Sequence, residues 1–431
     1  MKNQLANELI EFIFKSPTSY HVVSNAEKEL TSHGYRKLFP GEVWQIENGG
    51  KYFVTQNNSS LFAFEIGAED ISCGIKLICS HSDSPYLRIK PNAEMTVGGK
   101  YLKLNTEVYG SPILHSWLDR PLSIAGRVMI QSANPLVPET RLVNFDRPLL
   151  VIPNIAIHLN PSGNGQATPS SNQKEMIPVI SMINDTFEKD DFLINLIAEE
   201  INVNPEDILD FDLALYEYEK GCLFGADNEF ISSGRLDDLA MAYTGLKALL
   251  NSGTCRQTKV LAIFDNEEVG SGSKQGASSP VLRTIIERIV LGLGGTSEDL
   301  YRCIHNSFMI SADMAHALHP NHVEKHDPTN HPVMNAGPVI KYNANQKYVT
   351  DSDSASVFMT ICNRAGVPYQ KFVNHSDMKG GSTLGSIFQS QMEIRGVDIG
   401  NPMWGMHSIR ETAGVMDIYY ITKAFTCYYN L

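Results

Sequence analysis

An unbroken apolar run, KVLAIFD at residues 259–265, leads straight into Asn266-Glu267-Glu268 and then a glycine-rich stretch, VGSGSKQGA. A continuous apolar run of this length reads as a strand buried on both faces, as in parallel α/β sheets. Open α/β sheets collect their binding sites beyond the carboxyl ends of strands. Two adjacent carboxylates delivered there can divide labour, one ligating a metal and the other taking a proton from water. The glycines let backbone approach a ligand closely. No Gly-Lys-Ser/Thr ending follows, which excludes a phosphate loop. An ordinary loop after a strand is the competing reading.

The rest of the chain extends this pattern. LFAFEIG and GIKLICS read as strands, the second ending at His81; SFMISADMA is another. LDDLAMAYTGLKALL and PVLRTIIERIVLGLG carry helical apolar spacing. Near the N-terminus, Leu5, Leu9, Ile10, Ile13 and Phe14 fall on one face of an amphipathic helix. Between residues 93 and 233 the character changes to short β-like stretches (GRVMI, LLVIP, IAIHL) separated by turn residues. The expected organisation is therefore an α/β domain formed by residues 1–92 and 234–431, interrupted by an inserted β-rich domain at 93–233. Residues 161–175, PSGNGQATPSSNQKE, read as a mobile surface loop.

At 431 residues the chain suits two or three domains. A net charge of −13 argues against nucleic acid or an anionic membrane as the main partner. No apolar run is long enough to span a bilayer, and the N-terminus lacks a signal-peptide pattern. Seven cysteines (Cys73, Cys79, Cys222, Cys255, Cys303, Cys362, Cys427) show no Cys-x-x-Cys spacing. They read as scattered buried thiols in a reducing cytoplasm.

Four further segments place polar groups where apolar runs end. HSDSP offers His81 and Asp83, in which a carboxylate could orient a metal-bound imidazole; alone, it reads better as a surface turn. In SGRLDDLA, Asp237 and Asp238 open a helix, and alone they read better as N-terminal carboxylates favoured by the macrodipole. Asp313 follows the strand-like SFMISA and precedes His316, His319, His322 and His326, which suit orienting carboxylates or lining a pocket better than ligating metal together. NPMWGMHSIRE carries His407, Arg410 and Glu411, and a lone histidine beside Met and Trp is more often a core residue. Jointly, these His, Asp and Glu residues supply enough nitrogen and oxygen donors for two borderline metal ions, with no thiolate required.

The order of these segments resembles the aspartyl aminopeptidase family of metallopeptidases along nearly the whole chain. The resembling runs include SPTSYH, HSDSP, HSWLDRPLSIAGRV, IPNIAIHL, FISSGRLDDLA, IFDNEEVGSGSKQGA, SADMAHALHPN, EKHDPTNHP, GPVIKYNANQKYVTD, GGSTLG and MHSIRE. The resemblance implies a zinc-exopeptidase-like α/β/α catalytic domain with an inserted β-rich dimerisation domain, and two Zn2+ per subunit, with Co2+ or Mn2+ possible. His81 and Asp313 would bind one ion, Glu268 and His407 the other, and Asp237 would bridge them. Glu267 would be the general base and Asp83 would orient His81. It also implies dimers assembling into a tetrahedral dodecamer, with His158 of the IAIHL run reaching a neighbouring subunit's active site. Lys341 and Tyr348 match the segment that reads an acidic first side chain, and a partly desolvated lysine favours a carboxylate on charge grounds alone.

The chain departs from the family pattern at Trp404-Gly405 (usually Leu-Ser), Asp238 (often Asn), His322 (often Tyr) and Asn374-His375-Ser376-Asp377 (commonly Arg-Asn-Asp). None of these removes an expected ligand. The expected function is hydrolysis of N-terminal residues, Asp or Glu first, from peptides. Two alternatives stay open: a preference for neutral residues such as Leu, and an inactive metal-binding assembly or cargo protein.

Overall fold

The computed structural model describes residues 2–160, 169, 171–183, 191–254 and 256–431. Cys255 and most of the expected 161–175 loop lie outside the described residues; Asn172–Glu175 forms a short helix. The chain divides into two compact units, one comprising Met1–Asp83, Gly221–Met406 and Glu411–Leu431, the other Ser84–Lys220 and His407–Arg410.

The first unit is built on a mixed sheet. Its strand order is Arg36–Lys37, Lys51–Gln56, Ser60–Glu65, Thr258–Phe264, Ile75–His81, Phe308–Ala312, Arg395–Gly400, Val339–Tyr342 and Gln370–Val373. Thr258–Phe264, Ile75–His81, Phe308–Ala312 and Arg395–Gly400 run parallel to their neighbours in this set. The side-chain alternation of these strands feeds two cores. Ile78, Leu261, Ile310 and Val397 face one side, packed by the helices Lys2–Phe14, Ser19–Ser32, Leu236–Asn251, Ser352–Ala365 and Val415–Asn430. Leu77, Cys79, Val260, Phe264 and Met309 face the other, packed by Val281–Gly292, Ser297–Asn306 and Leu384–Gln389. Burial on both faces explains why these strands read as unbroken apolar runs.

The N-terminal helix buries Ala6, Leu9, Ile10, Phe12 and Ile13. Leu5 and Phe14, expected on that face, are only half-buried. A smaller sheet in the same unit orders Cys222–Phe224, Phe230–Ser233, Glu411–Gly414, Pro402–Trp404 and Ala315–His316. Among the described residues no helix is long and apolar enough to cross a membrane.

The second unit holds a sheet ordered Glu139–Asn144, Leu122–Ile130, Ile208–Glu217, Tyr86–Val97, Tyr101–Tyr109 and Val179–Met182, all antiparallel. Its core contains Leu87, Ile124, Val128, Leu213 and Leu215, with Leu193 and Ile197 from the helix Phe192–Ile201 and Ile409 from the late segment. Arg410 is held there by Glu217, 2.8 Å from Oε2, and by the carbonyls of Glu219 and Lys220.

The unit edges therefore fall at Asp83/Ser84 and Lys220/Gly221 rather than at 92/93 and 233/234. Tyr86–Val97 is a strand of the second sheet, whereas Cys222–Phe224 and Phe230–Ser233 belong to the first unit. IAIHL, expected as a β-like stretch, contains instead the 3-10 turn Ile157–Leu159, with every residue from Pro153 to Leu159 exposed. Its apolar alternation has no strand partner among the described residues, so period two alone misled.

The helix Leu236–Asn251 lies close on the sheet at Gly245, where a Cβ would stand 2.9 Å from Leu261 Cδ1 and 3.6 Å from Ile78 Cγ2. A branched side chain there must push the Leu261 side chain out of its packed rotamer or lift the helix. Gly245→Val is expected to lower stability by about 1–3 kcal/mol, read as a lower midpoint in chemical denaturation. An unchanged midpoint would mean the helix is free to move off the sheet.

Candidate metal centre

The sheet gathers its polar strand ends at one place. His81 closes the strand Ile75–His81 and pairs in register with Phe264, so the chain after Phe264 and the chain after His81 leave the sheet side by side. Asp313 follows Phe308–Ala312, the neighbour on the other flank of Ile75–His81. Asp237 and Asp238 arrive on the helix resting on these strands. Their backbones are not helical (φ −83°, ψ 109° and φ −116°, ψ 20°), and the peptide between them is cis. They therefore precede the regular helix and do not serve as its ordinary first-turn carboxylates.

The contacts around His81 are specific. Nδ1 lies 3.0 Å from the Asp83 carbonyl oxygen and 3.3 Å from Asp83 Oδ1, while Nε2 lies 3.5 Å from Asp237 Oδ1. The His81 N–H donates to Asp238 Oδ2 at 3.1 Å. Asp83 does two jobs at once. Besides facing the imidazole, its carboxylate accepts the Glu267 N–H at 3.1 Å and the Glu268 N–H at 3.2 Å. The Asp237 N–H in turn donates to Glu411 Oε2 at 3.1 Å. The Glu267–Val269 turn is closed by Asn266, whose carbonyl accepts from Ser271 N–H at 2.7 Å and whose Oδ1 accepts from Ser273 and Gln275. Gly270, at φ 91°, supplies the left-handed step of that turn.

His81, Asp237, Asp238 and Asp313, all buried, present one ligand atom each within 4.8 Å of one another, and so do His81, Glu267 and Glu268. Burial is the leading influence on Asp238, Asp313, Glu267 and Glu268. It raises Glu267 to about 8, with Asp313, Asp83 and Asp237 adding to the shift and His81 opposing it. Burial, then Asp237, pushes Glu268 well above the usual carboxylate range, and burial does the same to Asp238 against the pull of His81. Burial also raises Asp313, opposed first by Lys341. For His81, burial acts downward, but Asp238 and the hydrogen bonds to Asp237 and Asp83 outweigh it and leave the imidazole well above its ordinary value. Asp238 Oδ1 is buried with no hydrogen-bond donor among the described residues. Such a set of crowded, buried oxygen donors with one imidazole and no thiolate fits zinc, cobalt or manganese.

Lys341 and Tyr348 stand next to this group. Lys341 is buried, with Nζ 3.7 Å from Asp313 Oδ2, donating to the Met314 carbonyl at 2.8 Å, and 5.6 Å from the Tyr348 ring centroid. Burial lowers the ammonium's pKa, yet Asp313, followed by Tyr348 and Asp398, carries the net shift upward. The expected site residues His158 and His407 belong to the second unit. His158 is exposed in the 3-10 turn, and His407 Nδ1 lies 3.0 Å from the Ser111 carbonyl oxygen. The histidines after Asp313 make local contacts: His326 Nε2 accepts from His319 N–H at 3.0 Å, and His319 Nδ1 from Asn321 N–H at 3.2 Å.

Comparison with known proteins follows the same line. Residues 12–429 match the family described as aminopeptidase I zinc metalloprotease (M18). The chain belongs to the M18 family of zinc aminopeptidases. It is therefore a metallopeptidase by family, a hydrolase with the α/β fold and β-rich module described above. It is 52% identical to a probable M18 family aminopeptidase 2 of Clostridium novyi, over 100% of both chains. Among solved structures it matches one described as the Ape4 and Nbr1 complex, at 38% identity and TM-score 0.94, covering 99% of this chain and 86% of that one. It also matches the mApe1 dodecamer of S. cerevisiae, at 27% identity and TM-score 0.85, covering 98% of this chain and 95% of that one.

The site's electrostatics carry a consequence for pH. Glu267 at about 8 and Asp265, which burial and then Asp83 lift to about 7, hold protons in the folded state that the unfolded chain has released. The raised His81 acts with the same sign. Folded protein binding more protons than unfolded means stability falls as pH rises. The metal-free protein is expected to lose thermal stability between about pH 5 and 8, and zinc to flatten that slope by replacing the protons. A metal-free midpoint that rises over this range would contradict the arrangement.

Proposed function

We propose that the chain is an aminopeptidase that uses two zinc ions per subunit to remove N-terminal residues from peptides, with Asp and Glu preferred. The observation that carries this reading is the pair of overlapping groups that share His81, the buried Asp237, Asp238 and Asp313 on one side and the half-buried Glu267 and Glu268 on the other. His81 and Asp313 would hold one ion, Glu268 and His407 the other, and Asp237 would be shared. Bound ions of this kind polarise the scissile carbonyl, hold the free amine of the substrate and acidify water. The closeness of His81, Asp237 and Asp313, and of Asp237 and Glu268, supports this division. Asp238 spends Oδ2 on the His81 backbone, which suits a supporting role.

The protein's own residues supply the proton handling. Glu267, next in the chain to Glu268 and grouped with His81, is the carboxylate this division leaves to take a proton from water and later return it to the leaving amine. Asp83 keeps His81 and the two glutamate N–H groups in register, so it is a positioning residue for both ends of the site.

Lys341 and Tyr348 support the acidic preference by placing a buried ammonium beside the cluster. The engagement of that ammonium by Asp313 and the Met314 carbonyl favours a second reading, a preference for neutral residues such as Leu. We further propose that the β-rich unit mediates dimers that assemble into a dodecamer, with His158 entering a neighbouring subunit's site. The exposed apolar side chains of Ile155, Ile157 and Leu159 around it are surface of the kind subunit contacts cover. A reducing cytoplasm suits the free thiols among the described residues.

Rates on Asp-, Glu- and Leu-anilides, before and after chelation and zinc or cobalt re-addition, test these readings together. Chelator-sensitive cleavage favouring Asp or Glu is expected; cleavage favouring Leu keeps the chemistry and removes Lys341 from specificity. Glu267→Gln is expected to retain zinc while losing about 10²–10⁴ in kcat. A zinc-replete variant with near wild-type kcat would sink the assignment of the base.

A further inference from the structure

We infer that Asp398 is a positioning residue for recognition of the substrate's first side chain, an inference that rests on the acidic-residue reading above. Asp398 lies in the strand Arg395–Gly400 and is fully buried. It is not among the clustered metal-ligating groups of the described residues. Its two carboxylate oxygens are committed to two different segments. Oδ2 accepts the Val349 N–H at 2.6 Å, and Oδ1 accepts the Thr383 hydroxyl at 2.8 Å. Its own N–H donates to Thr350 Oγ1 at 2.9 Å. One residue thus clamps the chain on the far side of Tyr348 to the strand and ties in the start of the helix Leu384–Gln389.

The clamp also faces the lysine. Val339 pairs with Gly400 and Ile340 with Ile399 in an antiparallel register, so the next step sets Lys341 against Asp398. A buried carboxylate costs free energy unless opposite charge and donors compensate it. Here the donors come from the two segments and the opposite charge is Lys341. The packing leaves no slack: a Cβ at Gly385 would stand 2.9 Å from both carboxylate oxygens. Asp398 therefore sets where Tyr348 stands and balances the ammonium beneath it, while touching neither the metal-ligating group nor Glu267. Its effect is expected on binding of an acidic first residue, not on bond cleavage.

Asp398→Asn preserves shape and an acceptor for the Val349 N–H but removes the charge. Loss of the charged acceptor weakens the hold on the Val349 N–H and the Thr383 hydroxyl, and this loosening around Tyr348 is expected to raise KM for Asp- and Glu-anilides about tenfold, outweighing the gain in attraction from removing a negative charge beside Lys341. The kcat, the zinc content and the KM for a Leu-anilide should stay at wild-type values. Thr383→Val is expected to act in the same direction, and Thr383→Ser to restore wild-type KM, which keeps the test open should Asp398→Asn fold poorly. KM values that rise together for Asp and Leu substrates, or a kcat that falls with zinc content, would show that Asp398 only holds the fold and would overturn the inference, as would unchanged KM values. A wild-type protein that prefers Leu sinks the acidic reading itself, before any variant is made, and the inference falls with it.

Discussion

Crowding of carboxylates around the His81 imidazole is the constraint from which the rest of this structure follows. Asp237, Asp238 and Asp313, buried, and Glu267 and Glu268, half-buried, gather near His81 at the strand ends, with Lys341 close to Asp313. Left to themselves in a desolvated place, such groups repel and hold protons, which is the common direction of their shifts. They stay together because the backbone is anchored elsewhere, by strands buried on both faces and a helix packed close at Gly245. The fold thus holds in place an arrangement that takes up protons on its own and that the proposed divalent cations would neutralise in their stead.

The strands that deliver these groups were legible in the sequence because burial on both faces leaves an unmistakable apolar run. KVLAIFD and GIKLICS correspond to Thr258–Phe264 and Ile75–His81, and His81 does close its strand. The helix signal at Leu236–Asn251 was also legible, but the local conformation of Asp237 and Asp238 was not, since it depends on contacts with residues far along the chain, Glu411 and His81. Asp238 and Glu411 were visible as acidic residues in notable segments without a sign of these contacts. Asp398 gave no signal at all: a single carboxylate inside an apolar strand, RGVDIG, declares its partners only when the Val349 and Thr383 segments come to it. In the second unit, alternation suggested a strand at IAIHL, and sequence alone could not show that nothing pairs with it.

The two parts of the proposed enzyme differ in how they are stabilised. Around the metal-ligating group the backbone is held more than the acids themselves: Asp83 fixes His81 and the N–H groups of Glu267 and Glu268, while Asp238 Oδ1 has no donor among the described residues. The candidate specificity region is held by the hydrogen bonds to the Asp398 carboxylate and by the Lys341 ammonium. The chain's departures from the family pattern include Asn374-His375-Ser376-Asp377, close in sequence to Thr383 in that same region.

That this cluster holds metal is tested most directly by anomalous diffraction at the zinc edge, from crystals of zinc-loaded protein. Two zinc peaks per subunit are expected, one against His81 and Asp313, one against Glu268 and His407, with Asp237 shared. No anomalous signal at these residues, with zinc bound elsewhere or not at all, would contradict it.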